Sequence, residues 1–195
     1  NPKPQTPNPK PQTPNPIKPI NKMWWWTTQE KFDLAPMKWC IAESVIIMIM
    51  CAAMGGPVMS QRKKHFNEEY MKQFEGLSRT ELHKLPAKLG YPDMGNGKIS
   101  KYLDLKSWLE FNNTQRTHLN FVEVLPFHAC FTLLAALFHP YLSAVCGLVF
   151  IVARLVYYFG YIIHPNFRAF GSLPGIISGV VQAGLVIQGL ISLTF

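Results

Sequence analysis

Residues 140–163 read PYLSAVCGLVFIVARLVYYFGYII, and this stretch decides the fold class. As a helix it is long and apolar enough to cross the roughly 30 Å hydrocarbon layer of a bilayer. Comparable apolar runs cover residues 37–59, 118–138 and 171–195. Because only 15% of the 195 residues are charged, the four runs predict an all-α membrane protein, a four-helix transmembrane bundle with both termini on one side.

The positive charge of the chain flanks the apolar runs. The net charge is +8, with six of the nineteen cations between residues 3 and 38, at or before the start of the first run, and eleven between residues 62 and 116. Cations beside membrane spans pair with anionic lipid headgroups, so we expect membrane lipids, and no nucleic acid, as partners. Both flanks of the first span are basic, which leaves the orientation open. No cleavable signal peptide is visible, and the start at Asn1 rather than Met leaves open the earlier removal of a segment.

The first 36 residues differ in composition from the rest. Residues 1–14 are two copies of NPKPQTP, and Trp24, Trp25 and Trp26 follow before the first span. Such proline density predicts a polyproline-like or disordered extension, and indoles suit the headgroup boundary. We therefore divide the chain into a Pro-rich arm with a Trp-rich interfacial segment, residues 1–36, and a four-span domain, residues 37–195. The tryptophans are either a membrane anchor or a docking patch for another protein.

A long polar connection, residues 65–115, follows the first span. Within it Ser78 and Glu81 fit a helix capping box, and residues 93–97 predict a turn. The cysteines lie in apolar runs without the paired spacing of metal ligands, so we expect core thiols and no metal site; they are Cys40, Cys51, Cys130 and Cys146.

Polar residues recur along one face of the second span. Arg116, Asn120 and Glu123 are spaced i, i+4, i+7, so a helix places them in a line about 10 Å long. A carboxylate two turns into such a helix costs on the order of 2 to 3 kcal/mol, which makes Glu123 a functional candidate. The alternative is that Glu123 pairs with Arg116 or Arg154 only to hold helices together.

The same end of the bundle collects further polar groups. Arg154, Tyr157 and Tyr161 follow one another at i, i+3, i+7 in the third span, Arg62 ends the first, and we place Arg168 in the loop before the fourth. A tyrosine stripe alone is typical of a core or a membrane boundary. Opposite several arginines and a carboxylate, it predicts a site for a peptide-sized anion that also carries an ammonium group. A nearby cation would stabilise a thiolate, and glutathione meets both requirements.

Two motifs resemble those of a known family. Residues 111–123, FNNTQRTHLNFVE, fit the pattern F-N-x-x-Q-R-x-H-x-N-x-x-E, and residues 147–161, GLVFIVARLVYYFGY, fit G-L-x-x-x-x-x-R-x-x-Y-x-x-G-Y. These patterns resemble the second and third helices of the membrane-associated proteins in eicosanoid and glutathione metabolism (MAPEG), with the microsomal glutathione S-transferase type 3 branch as the closest. The resemblance covers roughly residues 40–195.

The resemblance implies a homotrimer of antiparallel four-helix bundles that holds glutathione, as a co-substrate, between neighbouring protomers. It implies that Arg168 is catalytic, because Arg168 stands where the leukotriene synthase branch has the arginine that stabilises the thiolate. It also implies glutathione contacts from matching positions, with Arg62 in a looser register: Arg62, Arg116, His118, Asn120, Glu123, Arg154, Tyr157 and Tyr161. Phe121, Val124 and the long connection depart from the family pattern and leave the second substrate open.

Three functions remain as hypotheses. The first is an enzyme, a glutathione transferase or peroxidase that acts on lipophilic electrophiles or lipid hydroperoxides from the bilayer. The second is a lipid-presenting family member without chemistry. The third is a weakly catalytic or non-catalytic accessory subunit of a larger membrane complex, for example a mitochondrial one, docked by the Pro-rich arm. All three place a multi-pass protein in the endoplasmic reticulum (microsomal) or mitochondrial membrane.

Overall fold

The computed structural model describes residues 35–76 and 93–194. The α-helices in these ranges are α1 (Lys38–His65), α2 (Glu68–Lys72), α3 (Leu105–Ala136), α4 (Pro140–Ile163) and α5 (Arg168–Thr194). Short 3-10 turns at Ala35–Met37, Ser100–Tyr102 and Pro165–Phe167 precede α1, α3 and α5. Four of the helices are long and apolar enough to cross a membrane, which confirms the predicted all-α membrane bundle.

Helices α3 and α4 each contact all of the other long helices of the bundle. Phe150 of α4 packs in one buried cluster with Ile47, Cys51 and Met54 of α1 and Phe121 of α3. The outer faces of the long helices carry exposed Leu, Ile, Val and Phe side chains along their length. Soluble chains rarely expose apolar surface of this extent, so these faces suit contact with hydrocarbon.

Two helix starts differ from the sequence-based expectation. α3 begins at Leu105, well before the apolar run at 118, because the Asp104 carboxylate caps it by accepting a hydrogen bond from the Ser107 N–H at 3.1 Å. The connection predicted for residues 65–115 therefore ends at residue 104. The prediction that Arg168 lies in a loop was also wrong: α5 starts at Arg168, directly after the turn Pro165–Phe167.

Other local predictions had mixed outcomes. The turn at residues 93–97 is confirmed, with the Asp93 side chain accepting from the Gly95 N–H at 2.8 Å. The cysteines are free thiols, but only three are buried, since Cys130 lies on an exposed face of α3 and not in the core. The capping box at Ser78 and Glu81, the tryptophans and residues 1–34 of the Pro-rich arm fall outside the described residues.

Candidate functional site

A cavity of about 300 Å³ opens at the end of the bundle where α1 ends and α5 begins. Its walls come from the first half of α3, the second half of α4, the start of α5 and the turn after residue 93. Six of the nine predicted site residues line it together: Arg116, Asn120, Glu123, Tyr157, Tyr161 and Arg168. The polar stripes of three helices therefore meet in one space.

The α3 wall carries the predicted cation, amide and carboxylate on one face. Arg116 is held by a hydrogen bond from its Nε to the Asn112 side-chain oxygen at 2.8 Å. Glu123 is exposed on this face, and among the described residues it pairs with neither Arg116 nor Arg154. The alternative in which Glu123 only ties helices together within one protomer is therefore wrong for the described chain. Its carboxylate remains available to a ligand.

The facing wall places two tyrosines beside the first residue of α5. The rings of Tyr157 and Tyr161 are buried, with centroids 5.7 Å apart, and the Arg168 guanidinium lies 5.7 Å from the Tyr161 ring centroid. Helix α5 approaches α4 closely because residue 171 is glycine: a Cβ there would collide with the backbone of Tyr157 and Ala153. Gly171 thus brings Arg168 to the cavity.

Arg154, the third predicted residue of α4, lies behind the wall. It is 5% exposed, and its Nη1 donates to the Asn120 side-chain oxygen at 3.1 Å. Its guanidinium carbon lies 4.7 Å from the Phe121 ring centroid and 4.4 Å from that of Tyr157. Arg154 therefore does not line the cavity; it holds Asn120 and Tyr157, which do.

Two other predicted residues also lie off the wall of a single protomer. Arg62 donates from Nη2 to the Gln115 side-chain oxygen at 3.3 Å, and Gln115 lines the cavity. His118 points towards α1, where a Cβ added at Gly55 would lie 3.4 Å from its Nε2. Arg62 thus acts on the cavity through Gln115, and His118 is packed at the α1–α3 contact.

Sequence reasoning missed several residues of the lining. Asn112 stands one turn before Arg116 on the stripe of Asn120 and Glu123, so extending the i, i+4 spacing backwards would have found it. Gln115 and Leu119 lie on the neighbouring ridge of α3, and Met94 and Asn96 come from the turn. Nothing in the spacing of a turn indicates which helix it covers.

The charges of the lining suit a zwitterionic ligand with excess negative charge. The cavity presents two cations, Arg116 and Arg168, one carboxylate, Glu123, and several neutral amides and phenols. Arg168 also stands at the N-terminus of α5, where the helix dipole favours anions. In the part of the chain that the structure describes, no group of three His, Cys, Asp or Glu residues could hold a metal ion. The lining residues themselves offer charge and hydrogen bonds.

Comparison with known families agrees with this arrangement. The model of the MAPEG family matches residues 37–190. That range contains nearly all of the four long helices and every residue of the cavity. The chain therefore belongs to the MAPEG family.

Proposed function

We propose that the chain is a membrane-embedded glutathione transferase and peroxidase, of the microsomal type 3 kind, that acts on lipophilic electrophiles or lipid hydroperoxides. The observation that carries the proposal is the convergence of Arg116, Glu123 and Arg168 on one cavity at the end of an apolar bundle. Glutathione has two carboxylates, one ammonium and one thiol, so it needs cations, an anion and a stabilised position for its sulfur.

Each group of the cavity has a part in this proposal. Arg116 binds a carboxylate of the tripeptide, and Glu123 binds its ammonium group. Asn120 and the phenols of Tyr157 and Tyr161 supply hydrogen bonds that fix the peptide. Arg168 faces the sulfur and favours the thiolate, the nucleophilic form, because its charge adds to the positive end of α5.

The bound thiolate can serve two reactions. In conjugation the sulfur attacks an electrophilic carbon, an S–C bond forms, and the leaving group departs with the electron pair of the broken bond. In peroxide reduction the sulfur attacks the O–O bond and releases an alcohol. A second glutathione then displaces the oxidised sulfur's oxygen as water and gives the disulfide. Both second substrates are lipophilic, so they reach the site from the surrounding bilayer.

A second and a third copy of the chain would complete the site. Arg116, Glu123 and Arg168 are exposed on the protomer, although they lie in helices apolar enough to cross a membrane. Lipid contact with a carboxylate costs on the order of 2 to 3 kcal/mol, so contact of these side chains with a neighbouring protomer is more favourable than contact with lipid. This supports the homotrimer that the family resemblance implies, with glutathione held at the junction.

The runner-up function is an accessory subunit of a larger membrane complex, with weak or no catalysis. The feature that favours it is the Pro-rich repeat of residues 1–14, which suits docking to a partner protein. The endoplasmic reticulum and the mitochondrion remain the two proposed locations, and native particle size separates the enzyme from the subunit.

The test starts with full-length protein extracted from its native membrane in mild detergent. Particle mass, glutathione binding by calorimetry, conjugation of a lipophilic electrophile and reduction of a lipid hydroperoxide are measured on one preparation. We expect a trimer-sized particle that binds glutathione and turns over. Saturable glutathione binding without either activity would overturn the proposal that the protein is an enzyme. A much larger multi-protein particle would favour the accessory-subunit hypothesis.

A pair of variants assigns the activity to the cavity. Arg168→Ala should retain glutathione binding and lose most of the turnover at neutral pH, because the thiolate loses its counter-charge. Lys101→Ala is the matched control, since it removes a cation from an exposed residue outside the cavity. Equal turnover in the two variants would contradict the role given to Arg168.

A further inference from the structure

The turn after residue 93 forms one wall of the cavity, through Met94 and Asn96. We propose that these two residues determine specificity for the peptide part of the thiol substrate, and that Asp93 is the positioning residue that fixes them. The proposal rests on the proposed function, since it concerns the same site. It assigns a binding role to the connection between α1 and α3.

The Asp93 side chain organises the turn by accepting hydrogen bonds from the backbone N–H groups of the residues that follow it. Its two carboxylate oxygens accept from the N–H groups of Gly95 at 2.8 Å, Ile99 at 3.1 Å and Ser100 at 2.9 Å. Burial alone would raise the pKa of Asp93, but these bonds together with the Ser100 side chain lower it below its ordinary value. The carboxylate is therefore ionised at neutral pH and holds the turn closed.

The turn has a backbone shape that requires glycine at its centre. Gly95 has φ +91°, which side-chain-bearing residues rarely adopt. A Cβ at this position would also lie 3.1 Å from the Phe111 ring and 3.2 Å from the Asn112 side-chain nitrogen. The chain thus passes directly over the first turns of α3, and this places the residues on either side of Gly95 at the cavity.

Three side chains of α3 tie the turn to the cavity wall. Trp108 donates from its indole N–H to the Gly95 carbonyl at 2.7 Å, and the Asn112 amide donates to the same oxygen at 3.3 Å. The Gln115 amide lies 3.5 Å from the Met94 sulfur. Asn112 also accepts from Arg116, so one side chain joins the turn to the cation of the site.

An aromatic cluster between α1 and α3 supports the turn. Phe66, Phe74 and Phe111 are buried together at the end of α1, with the Phe66 and Phe111 rings 5.0 Å apart, edge to face. Tyr70 donates from its hydroxyl to the Ile99 carbonyl at 2.7 Å. Burial, aided by the charge of Asp93, raises the pKa of Tyr70 to about 12, so this donor keeps its proton. The wall is therefore fixed in place on packed side chains.

The chemistry of the wall suits a peptide rather than a lone thiol. Asn96 offers an amide that donates and accepts, as peptide groups require, and Met94 offers an adaptable apolar surface. Both line the same cavity as Asn112 and Arg116. The wall thus holds the peptide and its carboxylate while Arg168 holds the sulfur, which predicts selection of the whole tripeptide over a small thiol.

The test separates binding from chemistry with full-length protein in detergent. Asn96→Ala and Met94→Ala should each raise KM for glutathione about threefold to tenfold, the worth of one contact, with kcat unchanged. KM for a small thiol without the peptide, such as cysteamine, should not change. Asn113→Ala, an amide on α3 outside this cavity, is the matched control and should behave as wild type.

The positioning role of Asp93 has a readout that a structural role would not give. Asp93→Ala should raise KM as Asn96→Ala does, and the double variant should be no worse than either single one, because both act through the same wall. Trp108→Phe removes one tether and serves the same purpose if Asp93→Ala fails to fold. Additive effects on KM in the double variant would overturn the positioning role of Asp93.

The outcomes distinguish the two levels of the proposal. If wild-type protein neither binds nor uses glutathione, the proposed function fails and this inference fails with it. If wild-type protein turns over and Asn96→Ala and Met94→Ala both keep their KM within about twofold of wild type, only the inference is overturned. A fall in kcat without a rise in KM would also contradict it.

Discussion

Arg154 and Asn120 form a pair in which removing the neutral partner should destabilise the protein more than removing the charged one. The Arg154 guanidinium is 5% exposed and bonds to Asn120 at 3.1 Å. Its Nε has no hydrogen-bond partner, and within the described residues no carboxylate pairs with it. Asn120 is thus the acceptor that compensates a buried cation.

The two single substitutions should change the free energy of unfolding by different amounts. Arg154→Met loses a charged hydrogen bond, about 1.5–3 kcal/mol, and two ring contacts of about 0.5–2 kcal/mol each. It also removes the desolvation cost of a buried ion, several kcal/mol, so the net change should lie near zero. Asn120→Ala keeps that cost and removes the acceptor, which should destabilise by about 2–4 kcal/mol.

The measurement is equilibrium unfolding in mixed micelles, followed by circular dichroism. The free energy of unfolding of Asn120→Ala should be at least about 2 kcal/mol lower than that of Arg154→Met, which is roughly thirtyfold in the unfolding constant. The double variant should recover most of that loss, because no buried cation is left without an acceptor. The reasoning is refuted if Arg154→Met is the more destabilising single variant, or if the double variant shows the sum of both losses.

Three further outcomes are expected at the same end of the bundle. Arg168→Lys should keep more turnover than Arg168→Ala, since a cation remains near the thiolate, and single-turnover conjugation rates measure the difference. Gly171→Val should abolish glutathione binding by forcing α5 off α4, whereas Gly184→Ala, whose Cβ meets open space, should bind normally in calorimetry. Because the pKa of Asp93 is lowered by folding, its contribution is present above the ordinary carboxylate value and lost as pH falls through the lowered one. The fluorescence of Trp108, in a variant with the other tryptophans replaced, should therefore stay constant from neutral pH to about 4 and change only in stronger acid.

The sequence predicted the helices, and it singled out six residues that line the candidate cavity, for the same reason, which is periodicity. Apolar runs of membrane-spanning length required helices, and the spacing of Arg116, Asn120 and Glu123 placed them on one face whatever the packing. The start of α3 escaped this reasoning because its first turns mix apolar side chains with charged and amide ones, so they do not form an uninterrupted apolar run. The helix starts where the Asp104 side chain caps it, and Phe111 anchors these turns in the aromatic cluster, which is a tertiary contact.

The errors in the site have a common physical origin. Arg154 shares a helix with Tyr157, but one turn along the axis separates the cavity wall from the buried core. Spacing fixes the rotation of a side chain around its helix, and burial depends on which helices pack there. Met94 and Asn96 depend on a turn held by the distant residues Trp108 and Asn112. Contacts of this kind are tertiary and leave no local signal.

The two sides of the cavity differ in what covers them, and this gives them different roles. Towards the α1–α3 connection it is covered by the turn around Gly95, tethered to α3 within the same chain. Elsewhere in the lining Arg116, Glu123 and Arg168 are exposed in the single protomer, and an apolar bilayer would be a costly neighbour for charged groups. A second protomer against these residues would exclude lipid from the charged groups and leave the apolar faces of the bundle in contact with it. The proposed peptide specificity would then belong to a wall of the protomer itself, whereas access of the proposed lipophilic substrate would belong to the proposed junction between protomers.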